Sequence, residues 1–96
     1  MPAYLIADVQ VTDAAAYDNY RPLAAASISR FGGRFIVRGG KVDLLEGQPQ
    51  PERIVVIEFP DAETARRWYY SEAYQAALKI RQAASTGRVL LVEGVS

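Results

Sequence analysis

The feature that most constrains this chain is a run, RIVVIEF from Arg53 to Phe59, that is apolar at both odd and even positions. Successive side chains of a β-strand point to opposite sides of the sheet. The apolar residues therefore form two sets, which are Val55, Ile57 and Phe59 on one side and Ile54 and Val56 on the other. A strand that is apolar on both sides is expected to be covered on both sides.

The sequence after this strand predicts two capped helices. Pro60 has no N–H to donate and ends the strand. Asp61 is predicted to cap a helix from Ala62 to about Tyr69. Ser71 is predicted to cap a second, short helix that continues to about Arg81.

The first part of the chain predicts a strand and a helix. Ala3–Val11 is predicted to be a strand that is apolar on both faces, with Asp8 and Gln10 on the second face. Thr12 or Asp13 is expected to cap a helix that runs to about Arg30, where glycines follow. Pro22 lies inside this helix and is expected to kink or split it.

The other strands are shorter or more polar. Arg34–Arg38 is predicted to be a strand with Phe35 and Val37 on one face and Arg34, Ile36 and Arg38 on the other. Gly39-Gly40 predicts a bulge or turn, after which 42–45 resume extended structure. After a turn at 85–87, Val89–Val95 is predicted to be the last strand.

The element order is therefore β-α-β-β-α-β, which predicts an α+β fold in one domain spanning residues 1–96. The expected architecture is ferredoxin-like, with a four-stranded antiparallel sheet and helices on one face. Helices on one face leave the other apolar face open. A second copy of the chain is expected to cover it, giving a homodimer that packs sheet against sheet.

Composition excludes several kinds of site. The chain has no His and no Cys, so thiol catalysis, Ser-His-Asp catalysis and the usual zinc and haem ligands are absent. We expect no metal and no cofactor. The 11 basic residues balance the 11 acidic ones, which disfavours nucleic acid as a partner. The N-terminal sequence has no signal-peptide or membrane-span pattern, so we expect a cytoplasmic protein.

Four segments resemble a known family. They are GGRFIVRGG from Gly32, LEG from Leu45, RIVVIEFP from Arg53 and WYYSEAYQ from Trp68. Together they resemble domain-of-unknown-function family 1330, which belongs to the dimeric α+β barrel superfamily. The resemblance implies a homodimeric ferredoxin-like protein with a pocket between sheet and helices. The superfamily also contains cofactor-free monooxygenases and isomerases, but activity does not follow from fold alone.

Charged residues that interrupt apolar strands mark a candidate catalytic site. Asp8, Glu58 and Arg38 are the predicted catalytic residues, and Glu93 interrupts the last strand in the same way. A carboxyl in an apolar pocket could carry a proton, and Arg38 could bind an anion. The alternative is that these charges form structural ion pairs at the edge of the sheet or in the dimer interface.

Aromatic residues supply the candidate substrate-binding set, which is Tyr20, Trp68, Tyr69, Tyr74 and, with them, Arg53. The alternative is that the aromatic residues form the core and that Arg53 and Arg81 pair with nearby carboxylates.

Two functions remain open from the residues. One is a metal-free, cofactor-free enzyme, monooxygenase- or isomerase-like, acting on a small hydrophobic or aromatic molecule. The other is a non-enzymatic dimer that binds a ligand or a protein. An RNA-recognition module ranks last, because the third strand offers aliphatic residues instead of exposed aromatic and basic ones.

Overall fold

The computed structural model describes residues 1–95. They form four antiparallel strands and three helices, joined by short connections and one longer loop between β2 and β3. The strands are β1 (Ala3–Val11), β2 (Arg34–Arg38), β3 (Arg53–Phe59) and β4 (Ser85–Glu93). The helices are α1 (Ala14–Arg30), α2 (Ala62–Tyr69) and α3 (Glu72–Ala84). The strand order across the sheet is β2-β3-β1-β4. This topology confirms the predicted ferredoxin-like fold.

The helix starts are set by side chains that accept hydrogen bonds from the first turn. Asp13 Oδ1 accepts from the Ala16 amide at 3.1 Å, and Asp61 Oδ1 accepts from the Thr64 amide at 2.7 Å. Ser71 Oγ accepts from an amide in α3 in the same way. These bonds satisfy amides that have no partner within the helix. The cap predicted at Asp61 and the second cap at Ser71 are confirmed, and Asp13 is the cap of α1.

Several local predictions are wrong. α1 continues through Pro22 as one helix, so the predicted split does not occur. Residues 42–45 lie outside the sheet, in a connection without strand structure. β4 begins at Ser85, directly after α3, so the predicted turn at 85–87 is part of the strand. Gly87 there has a φ of 145°, and a Cβ on it would collide with the Asp8 carbonyl oxygen, so the early part of β4 depends on a residue without a side chain.

The core lies between the helices and one face of the sheet. Its largest fully buried side chains are Trp68, Phe59, Ile28 and Val9. Gly33, the residue before β2, lies directly against this core. A Cβ there would lie 2.7 Å from the Phe59 ring and 2.8 Å from Ile28. Close packing of this kind tolerates little added volume.

A bulge in β2 changes which residues face the helices. Phe35 pairs with Ile57, but the next pairs are Val37 with Val56 and Arg38 with Val55. Ile36 is therefore the extra residue of a β-bulge. Because paired residues share a face, Arg38 lies on the helix side with Val55, and Val37 lies on the opposite side. The prediction from strict alternation placed both residues on the wrong faces. At Gly39-Gly40, where a bulge or a turn was predicted, the chain bends at Gly39, and the bulge lies at Ile36.

The opposite face of the sheet, here called the open face, carries no helix. Its central residues include Ile6, Ile54 and Val56, and all three are partly exposed. Toward the edges, Leu90 is 44% exposed and Val92 is 46% exposed. The open face is thus apolar and accessible in the single chain.

Candidate functional site

A cavity lies between the helix-facing side of the sheet and the three helices. Leu5, Val55 and Ile57 form part of its sheet wall, and α1, α2 and α3 form the other walls. The space open to the centres of water molecules is about 40 Å³. A site of about 10–15 Å³ by this measure already holds one water. The cavity therefore has room for a few waters, and a ligand with a ring requires side chains to move aside.

Aromatic rings from all three helices form one wall of the cavity. The Trp68 and Tyr74 ring centroids are 4.0 Å apart, and Tyr17 and Tyr20 are 5.3 Å apart. Tyr20 stands edge-on to Tyr74 at 6.2 Å. These rings are tilted or edge-on to one another and together form a continuous aromatic wall.

Hydroxyl groups on this wall form a hydrogen-bonded chain. The hydroxyls of Tyr20 and Tyr74 are 2.8 Å apart, and Arg81 Nε donates to the Tyr74 oxygen at 3.3 Å. Burial, assisted by Tyr74, raises the pKa of Tyr20 far above that of a free tyrosine. Burial acts to lower the pKa of Arg81, but Tyr74, Tyr20 and Tyr69 together outweigh it, so the net pKa is raised and the guanidinium stays charged.

Within the part of the chain that the structure describes, the cavity is lined by basic residues and by no acidic residue. The four are Arg21, Arg38, Arg53 and Arg81. Among residues 1–95 only Arg21 and Arg34 lie within 4.0 Å of a carboxylate, and Arg34 is not part of the cavity. Arg53 Nε is buried, and no group in that part of the chain accepts a hydrogen bond from it. The cavity is therefore positively charged, and within residues 1–95 Arg21 is the only one of its four arginines with a carboxylate within 4.0 Å.

The four charged residues predicted from the strands are not brought together. Asp8 pairs with Ile54 and Glu58 pairs with Tyr4, so both lie on the open face but at opposite ends of β1. Arg38 lines the cavity on the other side of the sheet. Glu93 pairs with Ala3 in the outer strand β4. In a single chain these residues form no common site, and their catalytic roles stay predictions.

Glu58 takes part in an ion pair on the open face. Arg34 Nε donates to its carboxylate at 2.7 Å, and the Tyr4 hydroxyl donates to the other oxygen at 3.3 Å. The bond from Arg34 holds the pKa of Glu58 below its usual range. This geometry is that of the structural ion pair, which was the alternative to a proton carrier.

Most of the predicted substrate-binding residues line the cavity: Tyr20, Trp68, Tyr74 and Arg53. Tyr69 lines a neighbouring groove between α2 and β4 instead. Phe35, Arg21 and Arg81 also line the cavity and were not predicted to do so. Arg21 could have been found from its position four residues after Tyr17 on the same side of α1. The pairing of Arg53 and Arg81 with carboxylates is not observed, since neither has one within 4.0 Å among residues 1–95.

Two further features of residues 1–95 bear on metal binding and on membrane insertion. In that part of the chain no three acidic side chains lie together in a way that could hold a metal ion. None of its helices is long and apolar enough to cross a membrane.

Comparison with known sequences identifies a family. The sequence model of DUF1330, a domain of unknown function, matches residues 2–95. The comparison with curated proteins gives no match.

Solved structures share the fold at low sequence identity. A protein of unknown function from Rhodopseudomonas palustris is 20% identical with a TM-score of 0.83, and the match covers 99% of this chain and 83% of that one. SnoaB, a cofactor-independent oxygenase from Streptomyces nogalater, is 17% identical with a TM-score of 0.70, covering 99% and 94% of the two chains. A dimeric ferredoxin-like protein of unknown function from Jannaschia is 12% identical with a TM-score of 0.69, over the full length of both chains. At these identities the similarity establishes the fold.

Proposed function

The chain belongs to the DUF1330 family, whose function is unknown, and on that premise we propose that it is a homodimer that binds a small aromatic molecule between sheet and helices. The observation that carries the proposal is the cavity itself. Its aromatic wall, formed around Trp68 and Tyr74, faces aliphatic residues of the sheet. Concave sites with apolar walls and a few convergent polar groups are the usual form of small-molecule sites.

The open face of the sheet supports the homodimer. Leu90 and Val92 are nearly half exposed there, and Ile6, Ile54 and Val56 adjoin them on the central strands. A contiguous apolar surface on a small protein marks an interaction site. The Jannaschia protein of the same fold is dimeric. A second copy, packed symmetrically on the open face, would remove this surface from water.

A second candidate function is cofactor-independent oxygenation of the bound molecule, which the fold similarity to SnoaB favours. Arg38 would then stabilise negative charge that develops on the substrate. The proton carrier in the cavity would be a tyrosine hydroxyl, because Tyr20 and Tyr74 line it and no carboxylate does. Asp8 and Glu58 would contribute only to a site formed at the interface of two open faces.

Native mass spectrometry of the purified protein tests the proposal. We expect a dimer that carries a reproducible extra mass, which is released on denaturation. Ala7→Leu adds volume to the cavity wall and should lower the ligand-bearing fraction. Ala83→Leu adds the same volume at an exposed site of α3 and is the matched control. An extra mass unaffected by Ala7→Leu would place the ligand elsewhere, and a monomer would contradict the dimer.

The released molecule then separates the two candidate functions. Returning it to fresh protein in air and analysing the mixture by mass spectrometry measures turnover. Addition of oxygen atoms supports the oxygenase. An unchanged molecule over many equivalents supports a binding protein.

A further inference from the structure

We infer that the cavity selects a small aromatic monocarboxylate, which Arg38 and Arg53 bind at the carboxylate end. This inference rests on the proposed function and names the class of ligand. It starts from the positions of the two arginines on neighbouring strands. Arg38 pairs with Val55 across the bulge, and Arg53 lies two residues before Val55 on the same face. Diagonal neighbours of this kind have their Cβ atoms roughly 7–8 Å apart, within reach of long side chains.

The backbone beside these residues leaves room for the Arg53 side chain. A Cβ on Gly39 would fall on the guanidinium group of Arg53. The Gly39 amide donates to the Ile54 carbonyl at 2.9 Å, which holds the glycine against β3. Because Gly39 has no side chain, the guanidinium can lie along the strand and reach the cavity.

The charge of the two arginines is not neutralised by the chain. Neither has a carboxylate within 4.0 Å among residues 1–95. Both guanidinium groups lie near aromatic rings: that of Arg38 is 4.1 Å from the Phe35 centroid, and that of Arg53 is 5.7 Å from the Tyr17 centroid. The buried Arg53 Nε has no acceptor in that part of the chain. Burying a donor or a charge without a partner is costly, so an anion at this position would stabilise the folded protein.

The other two arginines of the cavity each have a polar side-chain partner. Arg81 donates to the Tyr74 hydroxyl, and Arg21 lies 3.8 Å from Asp18. Arg53 Nε is therefore the buried side-chain donor that lacks an acceptor within residues 1–95, and Arg38, which is exposed, lies beside it at one end of the site.

The shape of the remaining cavity defines the rest of the ligand. A guanidinium group offers a planar fork of N–H donors that fits a carboxylate in a bidentate manner. Beyond the arginines the walls are aromatic rings and aliphatic side chains, including Trp68, Ile57 and Leu5. These walls suit a flat body, and of the other two arginines Arg81 already donates to Tyr74 and Arg21 lies 3.8 Å from Asp18. A single ring with one carboxylate meets both requirements.

Trp68 is the only tryptophan of the chain and lines the cavity, so its fluorescence reports occupancy directly. We would titrate the protein with benzoate and cinnamate, and with their neutral amides benzamide and cinnamamide. At least one acid should bind about tenfold or more tightly than its amide, which is the effect expected of a charge-assisted hydrogen bond. Arg38→Gln and Arg53→Gln should each remove this preference.

Arg66→Gln is the matched control, because Arg66 is exposed on α2 and lies outside the cavity. Circular dichroism checks the fold of each variant, and Arg38 is exposed enough that its replacement should fold even where Arg53→Gln does not. Equal affinity for acids and amides would overturn the carboxylate inference and leave the small-molecule site standing. Binding of neither class would overturn both. An acid preference that survives in Arg38→Gln would also overturn the inference.

Discussion

The indole Nε1–H of Trp68 donates a hydrogen bond of 2.9 Å to the hydroxyl oxygen of Ser27. The same hydroxyl donates to the Ala24 carbonyl at 2.8 Å. Trp68 is 0% exposed and Ser27 is 2% exposed, so this contact joins α2 to α1 inside the core. The hydrogen bond also fixes the orientation of the indole ring, which lines the cavity.

Ser27→Ala should therefore destabilise the fold. The substitution leaves the indole N–H buried without an acceptor, which costs about 1–3 kcal/mol. Urea unfolding followed by Trp68 fluorescence measures the change in the free energy of unfolding. Ser29→Ala, at an exposed position of the same helix, is the control. Equal stability of the two variants would show that the bond contributes nothing.

Gly33→Ala should destabilise the protein through overpacking. The added Cβ would lie 2.7 Å from the Phe59 ring, and Phe59 is itself fully buried. Inserting a carbon into a packed core typically costs about 1–3 kcal/mol. Gly40→Ala is a close control, because nothing lies within 4 Å of a Cβ there. Thermal unfolding measures the Tm of both variants. A Gly33→Ala protein as stable as Gly40→Ala would contradict the packing argument.

Leu90→Arg should prevent the proposed homodimer. Leu90 lies on the open face, and two symmetric copies would bring buried, uncompensated charges into the interface. Size-exclusion chromatography with light scattering should report a monomer that remains folded by circular dichroism. Leu23→Arg introduces the same charge at a leucine of similar exposure, 48% against 44%, on α1. A dimer that persists in Leu90→Arg would place the interface elsewhere.

Tyr20 should make the protein sensitive to alkali. Its pKa is raised in the folded state, so this contribution to stability is full below the unfolded pKa of about 10 and is lost as pH rises above it. The titratable groups beside it are Tyr17, Tyr74 and Arg81. The free energy of unfolding, measured by urea from about pH 8 to about pH 11, should fall less steeply in Tyr20→Phe than in the unchanged protein.

The control for this measurement is Tyr70→Phe, since Tyr70 is 73% exposed and lies outside the cavity. A pH dependence that is the same in both variants would show that Tyr20 is not the group responsible.

The order of elements follows from sequence because each signal is local. A short run of apolar residues on both faces, Pro60 and the capping residue Asp61 specify β3 and α2 within a few neighbours, and the structure has them at the predicted bounds. Pro22 is different. It lies in a long helix whose buried residues, such as Tyr17 and Ile28, pack on both sides of it, so tertiary contacts support the helix through the missing hydrogen bond.

The candidate site was only partly predictable, because its composition depends on pairing between strands. The aromatic residues Tyr20, Trp68 and Tyr74 could be found from helical spacing alone. The side of the sheet to which Arg38 belongs depends on the bulge at Ile36, and no residue type there signals it. Gathering Asp8, Glu58 and Arg38 into one constellation required a shared face, which the register does not provide.

The bulge at Ile36 also affects how the sequences of family members should be aligned across β2. If a relative has a regular strand here, its residue aligned with Arg38 faces the other side of the sheet. Shifting an alignment gap by one position in β2 would then exchange a cavity residue for one on the exposed side. Residue equivalence across this strand is therefore best taken from superposed backbones, and a search for relatives with the same ligand preference should weigh the inserted residue as well as the arginine.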